Sequence, residues 1–345
     1  MATCRFPSIV NPATMKYLTF AQPEEPRNPR LGALREDKVI DLAVARNWSY
    51  AERGLPLEPF SESLFELIDA GPGAWAYARN LINILEGEDL LLIHDSEKRP
   101  VASSLEQVVL HPPLPRPTGL RDFYAFERHV VNSHAARGKE VPGEWYQFPV
   151  FYFSNPNAIF GPGEVIPYPA YSRALDYELE VACVIGQAGR DIPAVNAGDY
   201  IFGYTILNDW SARDVQRLEM RVGLGPAKGK DFASSLGPWI TTPDELADRA
   251  TGRPGVYDLE MAAFVNGQER SRGNWKDIHY SFGEMIARAS ESTFLLPGEV
   301  LGSGTVGTGC LLELTKGEGP WLEPGDVVEL EIERLGKLVN IVADH

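Results

Sequence analysis

Leu175-Asp176-Tyr177-Glu178-Leu179-Glu180-Val181-Ala182 alternates acidic and apolar side chains, and this alternation decides how the chain is read. In a β-strand, residues two apart point to the same face. Asp176, Glu178 and Glu180 then share one face, while Tyr177, Leu179 and Val181 share the other and suit a core. Adjacent carboxylates repel unless a positive charge lies between them. A hard cation that prefers oxygen ligands, such as Mg2+ or Ca2+, meets that need. A strand with one solvated acidic face is the plainer alternative.

Two more acids lie outward from this run. Tyr204-Thr205-Ile206-Leu207-Asn208-Asp209-Trp210 reads as a buried strand ending at Asp209, followed from Ser211 by a short helix carrying Arg213, Asp214 and Gln216. An acid at the end of an apolar strand projects into a site, or else caps the next helix. Asp122 to Arg137 reads as a helix ended by Gly138. Asp122 and His129, seven residues apart, then lie about two turns apart on one face. Among the six histidines, His129 alone is paired in this way with an acid inside a helix. Taken singly, it reads first as a satisfied structural histidine.

From Phe148 onward, short strands are spaced by turn residues, at Val150 to Phe153, Tyr177 to Ile185, Tyr200 to Leu207, Leu259 to Val265 and Leu311 to Leu314. A hairpin follows, with Val327 to Ile332 and Leu338 to Val342 flanking Leu335-Gly336-Lys337. Tyr17 to Phe20, Arg30 to Leu34 and Val39 to Leu42 read as strands near the start. Two helices come next, the first opened by the capping pattern Ser63-Leu64-Phe65-Glu66. The second runs from about Ala74 to Leu85 and ends before Gly87. His111-Pro112-Pro113-Leu114-Pro115-Arg116-Pro117 cannot be helix or central strand, because proline lacks the N–H and fixes φ. It marks a boundary. The expected layout is a loose extension over residues 1–14, a small α+β domain over 15–117, and a larger, mainly β domain with few helices over 118–345.

The 345 residues carry 48 acidic and 32 basic side chains, a formal net charge of -16, which opposes a nucleic-acid partner. Cys4, Cys183 and Cys310 form no CxxC pair, which argues against a disulfide framework or a zinc site and for a reducing, cytoplasmic setting. No apolar run approaches the roughly 20 residues a membrane helix needs.

The blocks together resemble a known family. Asp122-Phe123-Tyr124 with Glu127-Arg128-His129, Tyr177-Glu178-Leu179-Glu180, Asn208-Asp209-Trp210-Ser211-Ala212-Arg213-Asp214-Val215-Gln216, Gly229-Lys230-Asp231-Phe232 and Cys310-Leu311-Leu312-Glu313-Leu314 resemble, in order, the motifs of the fumarylacetoacetate hydrolase family. The likeness runs from about Arg121 to the C-terminus. It implies a mixed β-roll or β-sandwich catalytic domain and a homodimer. It also implies one divalent cation, Mg2+ or Ca2+ with Mn2+ as a further choice, held by Asp122, Glu178, Glu180 and Asp209. By the same resemblance His129 is the general base, Glu313 its orienting partner, and Arg213, Gln216 and Lys230 the oxyanion donors. Gln216 and Lys230, with Tyr124, Arg137, Tyr152 and Thr305, are the implied substrate contacts. Asp231, Ser234 and Met220-Arg221-Val222 depart from the eukaryotic members, which leaves the identity of the acid open.

The expected activity is hydrolysis of a carbon–carbon bond in a small 1,3-diketo acid. Decarboxylation, isomerisation or hydration of a 2-keto acid on the same scaffold is the first alternative. A non-catalytic Ca2+-binding β protein is the second.

Overall fold

The computed structural model describes residues 15–58, 62–136 and 138–344. The expected extension over 1–14, Cys4 within it, and Arg137 lie outside the described residues. The strand Leu179–Ile185 is buried along its whole length. Leu179, Val181, Cys183 and Ile185 belong to one core, and Ala182 and Val184 to another. A strand covered on both faces reads as a nearly continuous apolar run. Glu180 is the one charged residue in it.

This strand lies in the interior of a large sheet. The described strands run in the order Ala102–Ser104, Lys38–Asp41, Arg30–Arg35, Lys16–Ala21, Ser234–Thr241, Ile201–Asn208, Leu179–Ile185, Glu299–Gly302, Gly119–Phe123 and Phe151–Phe153. A second sheet of Gln268–Asn274, Glu260–Val265, Val327–Ile332, Gly336–Val342 and Val165–Ile166 packs on one face. Met261, Ala263, Val328, Leu330 and Leu338 close the core between the two sheets. Helices Leu42–Arg53, Leu64–Asp69 and Pro72–Ile84 cover the other face, setting Val44, Trp48, Leu67 and Ile82 against Val184, Phe202, Ile240 and Val300. The chain is therefore strand-rich with few helices, as the sequence indicates. The leading strands continue the same sheet, because Lys16–Ala21 pairs antiparallel with Ser234–Thr241.

The structure corrects four local readings. Asp122 is not on a helix. It lies in the strand Gly119–Phe123, and the helix begins only at Glu127 and ends at Ala135. Pairing with Glu299–Gly302 on one side and Phe151–Phe153 on the other holds this short segment extended. Leu311 to Leu314 is a helical turn rather than a strand. Both oxygens of Asp176 accept backbone N–H groups at its start, from Leu311 (2.8 Å) and Leu312 (3.0 Å). The acidic run is also not one continuous strand. Leu175–Asp176 pairs with Ser211–Ala212, and the Glu178 N–H donates to the Asn208 side chain at 3.0 Å. Finally, a helix precedes the two expected near the start. Leu42–Arg53 is capped by Asp41, which accepts from Ala43 and Val44, and is closed by Gly54 at φ 67.

Candidate metal centre and catalytic dyad

Four strand ends meet at one edge of the large sheet. Leu179–Ile185 begins where its antiparallel neighbour Ile201–Asn208 ends, with Leu179 opposite Asn208. Glu299–Gly302 and Gly119–Phe123 run parallel and end together, with Gly302 opposite Asp122. Glu178, Glu180, Asp209 and Asp122 therefore converge. One carboxylate oxygen from each lies within 4.8 Å of the others, and all four residues are buried.

Glycine makes this convergence possible. A Cβ on Gly302 would sit 2.4 Å from Asp122 Oδ1 and 3.1 Å from Glu180 Oε2. Gly304, at φ 73, donates its N–H to Asp122 Oδ1 at 3.2 Å and to Glu180 Oε2 at 3.0 Å. The motif reading missed both residues; their signal is the Gly302-Ser303-Gly304 triplet directly after an apolar strand. Gly302→Ala is expected to displace both carboxylates and weaken divalent-ion binding by at least about tenfold without unfolding the chain. Calorimetric titration of the chelated protein with Mn2+ measures this.

Two buried cations face the cluster. Lys230 Nζ contacts Glu178 Oε2 at 2.5 Å and also Asp209 Oδ2. Arg213 places Nε 2.8 Å from Asp176 Oδ2 and Nη2 2.8 Å from Glu178 Oε1, and Nη1 donates to Gln216 Oε1 at 3.1 Å. Asp176 thus anchors Arg213 and the Leu311–Leu314 turn rather than joining the other acids. Five carboxylates outnumber these two cations, and the titration behaviour follows. Burial, then the neighbouring charge of Asp209, pushes Asp122 up to about 8. Burial and the charges of Asp122, Glu178 and Asp209 hold Glu180 well above the usual carboxylate range. Burial raises Asp209 as well, although Lys230 opposes it. For Glu178, burial is outweighed by Lys230 and Arg213, which hold it at about 2.

Glu180 Oε1 and Asp209 Oδ1 are buried and have no hydrogen-bond partner among the described residues. Four converging carboxylates, two of them with an unpartnered oxygen, match the all-oxygen donor set of a hard divalent cation. The expected quartet fits such an ion.

The dyad stands beside the quartet. Glu313 Oε1 lies 2.5 Å from His129 Nδ1, and its other oxygen accepts from Asn132 Nδ2 at 2.7 Å and from Thr308 N at 3.0 Å. The His129 charge holds Glu313 below the usual carboxylate range, against burial. His129 is close enough that its charge also lowers Glu178. Asn132, one helical turn beyond His129, is a further partner that the motif reading did not single out. Tyr124 packs edge-on against the imidazole with ring centroids 5.1 Å apart. The Tyr152 hydroxyl lies 3.2 Å from Asp122 Oδ2 and contacts Asp209 Oδ2. Thr305 Oγ1 donates to the Leu179 carbonyl at 3.1 Å, which ties the Gly304 loop to the metal-site strand.

The family model described as fumarylacetoacetate (FAA) hydrolase C-terminal matches residues 119–343, about two thirds of the chain and every residue of this site. The chain belongs to the fumarylacetoacetate hydrolase family. It is 29% identical over 371 residues to the fumarylacetoacetase of Arabidopsis thaliana, covering 89% of this chain and 87% of that one. A fumarylacetoacetate hydrolase from the psychrophile Exiguobacterium antarcticum superposes with a TM-score of 0.67 at 26% identity, over 96% of this chain and all of that one. A 5-carboxymethyl-2-hydroxymuconate delta-isomerase from Mycobacterium smegmatis superposes with a TM-score of 0.62 at 25% identity, over 95% of this chain and 99% of that one. The protein is thus an enzyme of this superfamily, and a divalent metal is the cofactor that the family and the acidic quartet both support. No helix among the described residues is long and apolar enough to cross a membrane.

Proposed function

We propose that the protein is a cytoplasmic, homodimeric hydrolase that uses Mg2+, Mn2+ or Ca2+ to cleave a carbon–carbon bond in a small 1,3-diketo acid, of the fumarylacetoacetate or acylpyruvate kind. The observation that carries this reading is a complete acidic quartet beside a buried histidine that is hydrogen-bonded to its own carboxylate. Asp122, Glu178, Glu180 and Asp209 would hold the cation. When bound, it supplies Lewis-acid stabilisation of the developing enolate.

The side chains supply the rest. Glu313 Oε1 accepts a hydrogen bond from His129 Nδ1–H and so leaves Nε2 as the acceptor. His129 Nε2 takes a proton from water as the water oxygen adds to the ketone carbon. Collapse of the tetrahedral adduct breaks the carbon–carbon bond, and its electron pair goes to the carbon flanked by carbonyls, which then takes up a proton. Lys230 and Arg213, both seated on Glu178, and Gln216, bonded to Arg213, are assigned to the oxyanion. Tyr124 and Tyr152, one against the base and the other on the quartet, are assigned to substrate contact, with Thr305 on the adjoining loop. Arg137 is assigned to the substrate carboxylate by resemblance alone.

The test is turnover of acetylpyruvate and fumarylacetoacetate by protein stripped of metal and reloaded with Mg2+, Mn2+ or Ca2+. Cleavage to two acids, abolished by chelator and restored by one of these ions, is expected. A shifted double bond or release of CO2 without cleavage would instead assign the dyad to isomerisation or decarboxylation. Tight ion binding with no turnover of any diketo acid would leave only a binding protein.

A further inference from the structure

A second set of metal-ligating atoms adjoins the acidic quartet. One donor atom from each of His129, Cys310 and Glu313 lies within 4.8 Å of the others. His129 Nδ1 is 2.5 Å from Glu313 Oε1, and Cys310 Sγ is 3.6 Å from that same oxygen. All three side chains are nearly inaccessible: Cys310 is 0% exposed, and the side chains of His129 and Glu313 are 6% and 1% exposed. Burial pushes the Cys310 thiol well up, so without an ion it stays a neutral neighbour of the dyad.

This donor set differs in kind from the quartet. Sulfur and imidazole nitrogen select borderline-soft ions, zinc foremost, over Mg2+ and Ca2+. With Zn–S of about 2.3 Å and Zn–N or Zn–O of about 2.1 Å, tetrahedral ligand atoms stand roughly 3.4–3.6 Å apart. The Cys310–Glu313 separation already has that value. The His129–Glu313 contact would have to open by about 1 Å, two coordinate bonds replacing one hydrogen bond.

We propose that His129, Cys310 and Glu313 form an inhibitory site for Zn2+ or a similar thiophilic cation, separate from the quartet of Asp122, Glu178, Glu180 and Asp209. Water fills the fourth coordination position. Binding releases the thiol proton to solvent, and the imidazole proton moves from Nδ1 to Nε2 so that neutral imidazole coordinates through Nδ1. The inhibitory consequence rests on the base role given to His129, because coordination takes Glu313 away from the imidazole. The coordination itself does not depend on that role.

Titrating the chelated full-length protein with Co2+ reads the site independently of turnover. The expected result is a thiolate-to-cobalt charge-transfer absorption in the near ultraviolet that saturates at one thiolate-bound ion per chain, the quartet taking a second ion without adding to the band. Cys310→Ser abolishes it, His129→Gln weakens the binding by at least about tenfold, and Cys4→Ser leaves it intact. Cys310→Ala serves as a second probe if the serine variant melts early. With the Mg2+-loaded protein, excess Zn2+ is expected to stop wild-type turnover, and Cys310→Ser is expected to need at least about tenfold more zinc for half inhibition of its own rate. Absence of the band in wild type, or its survival in Cys310→Ser, overturns the site. A band without zinc inhibition overturns the inhibitory role. If no diketo acid is turned over at all, the catalytic reading fails, and the cobalt spectrum still decides the site.

Discussion

Replacing Glu180 with glutamine lowers turnover by about three orders of magnitude and divalent-ion affinity by at least about 100-fold, while the protein stays folded. Glu180 is wholly buried, with one oxygen on the Gly304 N–H at 3.0 Å and the other unpartnered. Glutamine keeps the shape and can keep the Gly304 bond. It loses the charge and turns the unpartnered acceptor into an N–H2 donor, which no cation can use. Lewis-acid stabilisation is worth several kcal/mol, and each 1.36 kcal/mol is tenfold in rate. Calorimetric titration with Mn2+ alongside a turnover assay makes the comparison, and wild-type affinity in the variant would refute the quartet.

A pH signature accompanies this result in chelated protein. Asp122 is pushed up to about 8 from an ordinary value of 3.8, so between those limits its folded form holds a proton that the unfolded chain has released. Stability then falls as pH rises through that window, by about 1.4 kcal/mol per unit for each such group. Glu180, also held well above its ordinary value, adds to the slope. Metal-free wild type is therefore expected to melt at lower temperature at pH 7.5 than at pH 5.5. The Glu180→Gln variant should fall less steeply, and Mn2+ should flatten the wild-type curve. Thermal melts across pH, with and without chelator, measure all three.

The parts of this site that were legible in the sequence are those written as local pattern. The alternation marks a strand with an apolar face, and Leu179–Ile185 is one, although Tyr177 and Glu178 lie before it. The apolar run into Asp209 ends where an acid should project. Register and partner choice were not legible, because they are set by residues far away in the chain. Asp122 looks helical when read with 123–137, yet two strands, one of them almost 180 residues downstream, hold it extended. Asp176 shares a spacing with Glu178 and Glu180 but turns away, because two backbone N–H groups and Arg213 satisfy it more fully than a shared ion would. Gly302 carries no chemistry to recognise; its role is the space that two carboxylates from other strands require.

His129→Ala is expected to keep wild-type affinity for Mn2+ and lose about 10²–10⁴ in turnover, the usual worth of a general base. The two measurements separate because the imidazole is hydrogen-bonded to Glu313 and is not one of the quartet. Glu313→Gln should fall in the same direction by less, since an amide can still hold the ring but no longer stabilises an imidazolium. The double variant should be no worse than His129→Ala alone, because groups that act as one unit give non-additive losses. Asn132 and the Thr308 N–H fix the second Glu313 oxygen, so the carboxylate has little freedom to serve elsewhere once the imidazole is gone. Added imidazole should restore part of the His129→Ala rate, as small bases do when a cavity replaces the side chain. Equal losses in metal affinity and turnover would place His129 on the ion instead. Undiminished turnover would exclude the dyad from catalysis and return the scaffold to reactions that need only the cation.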